Sequence, residues 1–246
     1  MGKGRRLLEV EGVSKGFGGL QALRDVSFGM DEGELIGLIG PNASGKTTFL
    51  NIINGYYPPN RGSIYLDGDR IDGLSPNQVA KKGVTRMFQA TRIFPRMSVL
   101  ENMLTVGYAV GRIPARDILD RARMILTRLS LDSMTHEDAG NLSGGQRKIL
   151  EFGTCFMANP KLVLLDEPFA SIHPELKSIL EGFMRAHYEQ GGTLLLVSQD
   201  IPSVVASCPR LIVLNAGRII ADGPTEEVVK KDEVAEAYLG GIAEEG

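Results

Sequence analysis

The segment Gly40-Pro41-Asn42-Ala43-Ser44-Gly45-Lys46-Thr47 follows the apolar run Glu34–Ile39 and leads into a helical stretch, Lys46–Asn54, that Gly55 ends. It fits G-x-x-x-x-G-K-[ST], a loop that wraps phosphates in backbone N–H groups. Such a loop works only between a buried strand and the start of a helix, so it demands an α/β core. The expected phosphate contacts come from Asn42, Ala43, Ser44, Gly45, Lys46, Thr47 and Thr48. Lys46 is expected to reach the β- and γ-phosphates and Thr47 to place its hydroxyl on Mg²⁺.

Strand-like and helix-like segments alternate along the remaining chain, with no repeat or obvious linker. Leu7–Val10 and Val26–Met30 suit a small antiparallel sheet. Ser63–Leu66 and Val84–Phe88 read as further strands, and apolar residues recur at helical spacing from Ser98 to about Leu131. Another helix is expected from Gly144 to about Ala158, where Asn159-Pro160 stops it. Leu162–Leu165 and Leu194–Val197 are fully apolar, as in a parallel sheet buried on both faces, with a helix over about Glu175–Glu189 between them. Leu211–Leu214 and Arg218–Ala221 read as a hairpin around Asn215-Ala216-Gly217, and Pro224-Thr225-Glu226-Glu227 as the start of a C-terminal helix.

With 246 residues and 43% apolar composition, the chain can bury a large core. A net charge of −3 gives no basic field for nucleic acid. Two cysteines, Cys155 and Cys208, and three scattered histidines offer neither a disulfide framework nor a zinc site. No apolar run approaches the roughly 20 residues that cross a bilayer, and the basic N-terminus lacks a signal-type apolar stretch. A cytoplasmic chain is expected, held at a membrane, if at all, by other subunits.

Two more segments carry chemistry. Asp166 and Glu167 end the apolar run Leu162–Leu165; a carboxylate there is costly without a cation, which Mg²⁺ would supply, and Glu167 could polarise an attacking water. Leu142-Ser143-Gly144-Gly145-Gln146 sits at a helix start, with Ser143 as a suitable N-cap. It lies about 100 residues after the phosphate loop and about 20 before the acidic pair.

Together these segments resemble the ATP-binding subunits of ATP-binding cassette (ABC) transporters, over essentially the whole length. The resemblance implies one domain, 1–246: a P-loop NTPase core with a parallel sheet, an N-terminal antiparallel β subdomain, and a helical subdomain over about 90–158. It implies ATP and Mg²⁺ as ligands, with Thr47, Gln89 and Asp166 on the metal and Glu167 and Gln199 as catalytic residues. Ser143, Gly144, Gly145 and Gln146 would reach a nucleotide held by a second ATPase subunit of the same or a different chain. Phe17 matches the aromatic residue that stacks on adenine. Gln89 would link Mg²⁺ to an integral membrane permease, whose coupling helix would dock near Arg92, Ile93, Phe94, Pro95, Arg96 and Met97. The chain would lie peripherally on the cytoplasmic face of the membrane.

Phe17-Gly18-Gly19-Leu20-Gln21-Ala22-Leu23 and the C-terminal Gly223–Val228 and Ala237–Gly240 are similar to the subclass serving branched-chain amino-acid importers, which implies a solute-binding protein as well. Lipopolysaccharide-export ATPases share much of that ending. Three positions depart from the family pattern. Ala43 replaces a glycine, a cost of about 1 kcal/mol if φ there is positive. His173 replaces Asp or Asn in the D-loop. Gln199 replaces the switch histidine, and an amide can donate to the γ-phosphate but cannot carry a charge or shuttle a proton. Slow turnover at a partly degenerate site is the expectation, with Ser143–Gln146 completing a competent site on a different partner.

Overall fold

The computed structural model describes residues 4–243, so both ends of the expected 1–246 domain lie outside the described residues. In chain order the elements are β1 (Arg6–Phe17), β2 (Leu20–Asp31), β3 (Leu35–Ile39), α1 (Lys46–Ile53), β4 (Arg61–Leu66), β5 (Asp69–Arg70), α2 (Pro76–Lys82) and β6 (Val84–Met87). Then come α3 (Val99–Val110), α4 (Ala115–Arg128), α5 (Gly144–Thr154), β7 (Leu162–Asp166), α6 (Pro174–Glu189), β8 (Leu194–Val197) and α7 (Ile201–Ser207). The chain closes with β9 (Arg210–Asn215), β10 (Arg218–Pro224), α8 (Thr225–Val228) and α9 (Asp232–Ala243).

A four-stranded antiparallel sheet has the order β2-β1-β4-β5, and a six-stranded sheet the order β10-β9-β3-β8-β7-β6. In the larger sheet β9, β3, β8, β7 and β6 run parallel, and only β10 is antiparallel. Every residue of β3, β7 and β8 is buried. Strand alternation divides these residues between two cores. Leu35, Ile39, Val163, Leu165, Leu194 and Leu196 pack with α3, α4, α5 and α6. Ile36, Leu38, Leu162, Leu164, Leu195 and Val197 pack with α1 and the antiparallel sheet. The parallel register sets Leu38 beside Val197 and Val197 beside Asp166, so the loops after β3, β7 and β8 open at one edge.

The antiparallel strands extend well beyond their apolar stretches into one long hairpin closed by Gly18-Gly19. The helical stretch expected over 98–131 is two helices: Gly111, at φ +66°, ends α3, and Pro114 precedes α4. Helix α5 stops at Thr154 rather than Ala158, where the Arg121 guanidinium takes the Phe156 carbonyl at 2.7 and 2.9 Å. The C-terminal helix is likewise two, α8 and α9. The short elements β5, α2 and α7 were not expected, although Ser75-Pro76 with Gln78 forms a complete capping box at α2.

Gly37 leaves room for the layer beneath β3. A Cβ there would stand 2.4 Å from Val204 Cγ1 and 2.6 Å from Leu211 Cδ2. Gly37→Ala should therefore destabilise the chain by about 1–3 kcal/mol through overpacking, measured by denaturant unfolding. Unchanged stability would mean that α7 and β9 are not seated as described.

Candidate functional site

Strand β3 delivers the chain to Gly40 with no freedom of direction. At φ +155° a Cβ on Gly40 would lie 2.0 Å from the Leu214 carbonyl oxygen, and on Gly45, at φ +110°, 2.6 Å from that of Ala22. Only glycine fits either place. Ala43 adopts φ +59°, so the positive dihedral considered from the sequence is present and alanine there is strained. Helix α1 begins at Lys46, and the N–H groups of its first turn have no helical acceptor behind them. Lys46 is buried, and its ammonium donates to the carbonyls of Gly40 (2.7 Å) and Pro41 (2.8 Å). Burial pulls its pKa below the usual lysine value, against the opposing fields of Glu167 and Asp166.

A cavity of about 420 Å³ opens over this loop. Asn42, Ala43, Ser44, Gly45, Lys46, Thr47 and Thr48 form one wall, and Gln89, Asp166, Glu167 and Gln199 face it. The remaining wall is Leu20, Gln21, Ala22 and Arg24 of β2 with Ala216-Gly217 of the β9–β10 turn, residues that the sequence reading did not single out for the site. Phe17 does not line the cavity. Its ring meets Tyr57 edge-on at 5.2 Å, although in the hairpin it pairs directly with Leu20.

Beside Asp166 stands a cation that the sequence reading did not name. Arg86 of β6 donates from Nη2 to Asp166 Oδ2 at 2.7 Å and from Nη1 to Asn51 Oδ1 at 2.7 Å, and both members of the ion pair are buried. The protein supplies its own counter-charge, so burial of Asp166 does not by itself require a metal. A charged residue inside the apolar strand Val84–Met87 was the available signal. Glu167 sits at φ +53°, a strained dihedral. Its Oε2 accepts from Ser198 Oγ and from the Gln199 backbone N–H, each at 3.1 Å. The Ser198-Gln199 segment thus holds Glu167 through one hydroxyl and one main-chain N–H. Thr47, Gln89 and Asp166 bring hydroxyl, amide and carboxylate oxygens to one cavity, a donor set that fits Mg²⁺. Among the described residues no cluster of three His, Cys, Asp or Glu could hold a metal alone.

Ser143 is the N-cap of α5. It accepts from the Gln146 N–H at 3.2 Å, and Gln146 Oε1 accepts from the Ser143 N–H at 2.8 Å. Ser143, Gly144, Gly145 and Gln146 do not line this chain's own cavity. His173 is the exposed N-cap of α6, where Nδ1 accepts from the Glu175 N–H at 3.5 Å. Because Ala43 is strained, Ala43→Gly should raise stability, by up to about 1 kcal/mol after the extra freedom of glycine in the unfolded chain is counted. A lower melting temperature would contradict the strained geometry.

Residues 23–170 match the family model described as ABC transporter. The chain is 34% identical to the high-affinity branched-chain amino acid transport ATP-binding protein BraF of Pseudomonas aeruginosa, over 96% of this chain and 98% of that one. It is 32% identical to the lipopolysaccharide export system ATP-binding protein LptB of Escherichia coli, over 95% and 97%. Among solved structures it superposes on an ATP-binding cassette of an ABC transporter in its ADP conformation with a TM-score of 0.85 and 31% identity, covering 96% and 99%. With its phosphate loop, acidic strand end and capped Ser-Gly-Gly-Gln helix in this arrangement, the chain is an ATPase and belongs to the ABC transporter family.

Proposed function

We propose that this ATPase energises import of branched-chain amino acids or related small polar solutes. The observation that carries the reading is the convergence of Lys46, Thr47, Gln89, Asp166, Glu167 and Gln199 on one cavity. The higher identity to BraF than to LptB favours import over lipopolysaccharide export. The partners are a second ATPase subunit, integral membrane permease subunits and a solute-binding protein. The chain works on the cytoplasmic face of the membrane; among the described residues no helix is long and apolar enough to cross one.

On binding ATP, the Lys46 ammonium exchanges the carbonyls of Gly40 and Pro41 for phosphate oxygens, while the N–H groups from Asn42 to Thr48 wrap the β-phosphate. Thr47, Gln89 and Asp166 would hold Mg²⁺, which would supply charge neutralisation for the phosphates. The base leaves along β2 over Leu20, with Phe17 at the rim. Glu167 accepts a proton from the attacking water, and the Gln199 amide donates to the γ-phosphate. Ser143 and Gly145 reach the nucleotide of the second subunit, with Gly144 and Gln146 shaping that helix start. Gln89 passes the closure to the permease, whose coupling helix docks by exposed Phe94 and by Arg92, whose guanidinium covers the Phe88 ring at 3.8 Å.

A second reading is favoured by Gln199 itself: a slow site that works in a heterodimer with a different ATPase. The test is Mg²⁺-dependent ATP turnover of the purified chain, with equilibrium ATP binding measured in parallel. Glu167→Gln should leave binding within about threefold and lower turnover by about 10²–10³-fold, as expected for loss of a general base. Binding without turnover in both proteins would place hydrolysis elsewhere. Gln199→His should raise turnover about tenfold or more. No increase would mean that glutamine suffices, and the heterodimer reading would lose its support.

A further inference from the structure

Helix α5 carries two charged side chains into the interior, Lys148 and Glu151, three residues apart and so on one face. Each grips a different loop. Lys148 Nζ donates to the Ala170 carbonyl at 2.7 Å, in the segment that follows Glu167. Glu151 Oε1 accepts from the Phe88 N–H at 3.3 Å, and Arg92 lies near enough to favour the charged carboxylate. Phe88 directly precedes Gln89. The far end of the same loop is held by another buried residue, Asn102 of α3: its Oδ1 accepts from the Phe94 N–H at 2.7 Å and its Nδ2 donates to the Phe94 carbonyl at 3.0 Å.

Glu151 is a poor choice for packing. It is 3% exposed, and its Oε2 is buried without a hydrogen-bond partner. A leucine would fill the space without that desolvation cost. Its neighbours in the helix, Ile149, Leu150 and Phe152, are all apolar and buried. The carboxylate gains instead a hold on a loop without helix or strand, whose Phe88 N–H it satisfies.

We propose that Glu151 is a positioning residue: it clasps the Gln89 loop to α5, so that Gln89 and the Ser143–Gln146 helix start move as one body. The roles of Gln89 and Ser143 in this statement rest on the function proposed above; the clasp itself does not. Through α5 the segment that would contact a second subunit's nucleotide is tied to the loop on this chain's own nucleotide, while Lys148 ties both to the segment after Glu167.

The clasp also responds to protons near neutrality. Burial pushes the Glu151 carboxyl up to about 7, opposed by the Phe88 and Arg92 N–H groups and by the charges of Lys148 and Arg92. The other titratable groups on this face are Lys148, whose pKa burial lowers against the fields of Glu167 and Glu151, and the Cys155 thiol, which burial raises and keeps neutral. Burial penalises the carboxylate more than its partners favour it, so the clasped arrangement binds a proton more tightly than a solvated carboxyl would. The loop should therefore be held less firmly as pH rises through about 7.

The test is amide hydrogen exchange of the nucleotide-free full chain, followed by mass spectrometry, with Glu151→Ala and Glu151→Gln alongside. It needs no ATPase activity, so its outcome is independent of the function proposed above. Residues 88–92 should exchange severalfold faster in Glu151→Ala, while α5 and β7 keep their protection. The carboxamide oxygen of Glu151→Gln should restore most of the loss. After correction for intrinsic rates, protection of the loop should fall from about pH 6 to about pH 8 in the native chain and stay flat in Glu151→Gln. In turnover assays Glu151→Ala should lower kcat with ATP binding unchanged. Unchanged protection of 88–92 in Glu151→Ala overturns the proposal, and so does a loss spread equally over α5 and β7. A native pH profile as flat as that of Glu151→Gln also overturns it, even if Glu151→Ala cannot be folded.

Discussion

Burial of β3 between β8 and β9 is the constraint on which the site depends. A five-residue strand with both neighbours parallel has no freedom in where it ends. Its end places Gly40 under the Leu214 carbonyl, and the loop must turn at once into α1. The same register sets the ends of β7 and β8 alongside, which brings Asp166, Glu167 and Gln199 to the mouth of that loop. Catalytic geometry here is a property of strand pairing, and the general preference for ligands at the carboxyl edge of parallel sheets follows from it.

Electrostatics at that edge is arranged for exchange of partners. Without nucleotide, Lys46 is satisfied by carbonyls of its own loop, Asp166 by Arg86, and Glu167 by Ser198 and the Gln199 main chain. Each charged group has a hydrogen-bond partner, and Asp166 also meets the opposite charge of Arg86. Phosphates offer Lys46 a better partner than neutral carbonyls, which makes binding a replacement of weak bonds by charge-assisted ones. The strained dihedrals of Ala43 and Glu167 fall at the same edge, one in the wall that wraps phosphate and one at the acid that faces it.

Much of this was legible in the sequence. The phosphate loop, the acidic pair and Ser143–Gln146 are local motifs whose chemistry is written in adjacent residues, and the apolar runs of β7 and β8 announced a sheet buried on both faces. What escaped depended on partners distant in the chain. Arg86 meets Asp166 across 80 positions, and Glu151 meets Phe88 across 63. Nothing near either residue says where it points, although Arg86 was the lone charge in its strand and Glu151 the one charge in the stretch Ile149–Phe152. The helix breaks at Gly111 and Pro114 were visible as residues, but periodicity continued across them and masked the turn. Phe17 matched a pattern position, and its ring lies edge-on to Tyr57 at 5.2 Å, a contact that its own neighbours in the chain did not announce.

The central claim is that Lys46 exchanges its loop carbonyls for nucleotide phosphate, and equilibrium ATP binding to Lys46→Ala against the native chain tests it most directly. The account predicts a loss of affinity of about 100-fold or more, the value of roughly 3 kcal/mol for one charge-assisted contact in a partly buried site. Equal affinity of the two proteins would contradict it, because the lysine would then be a structural brace of the loop and not a ligand of the phosphates.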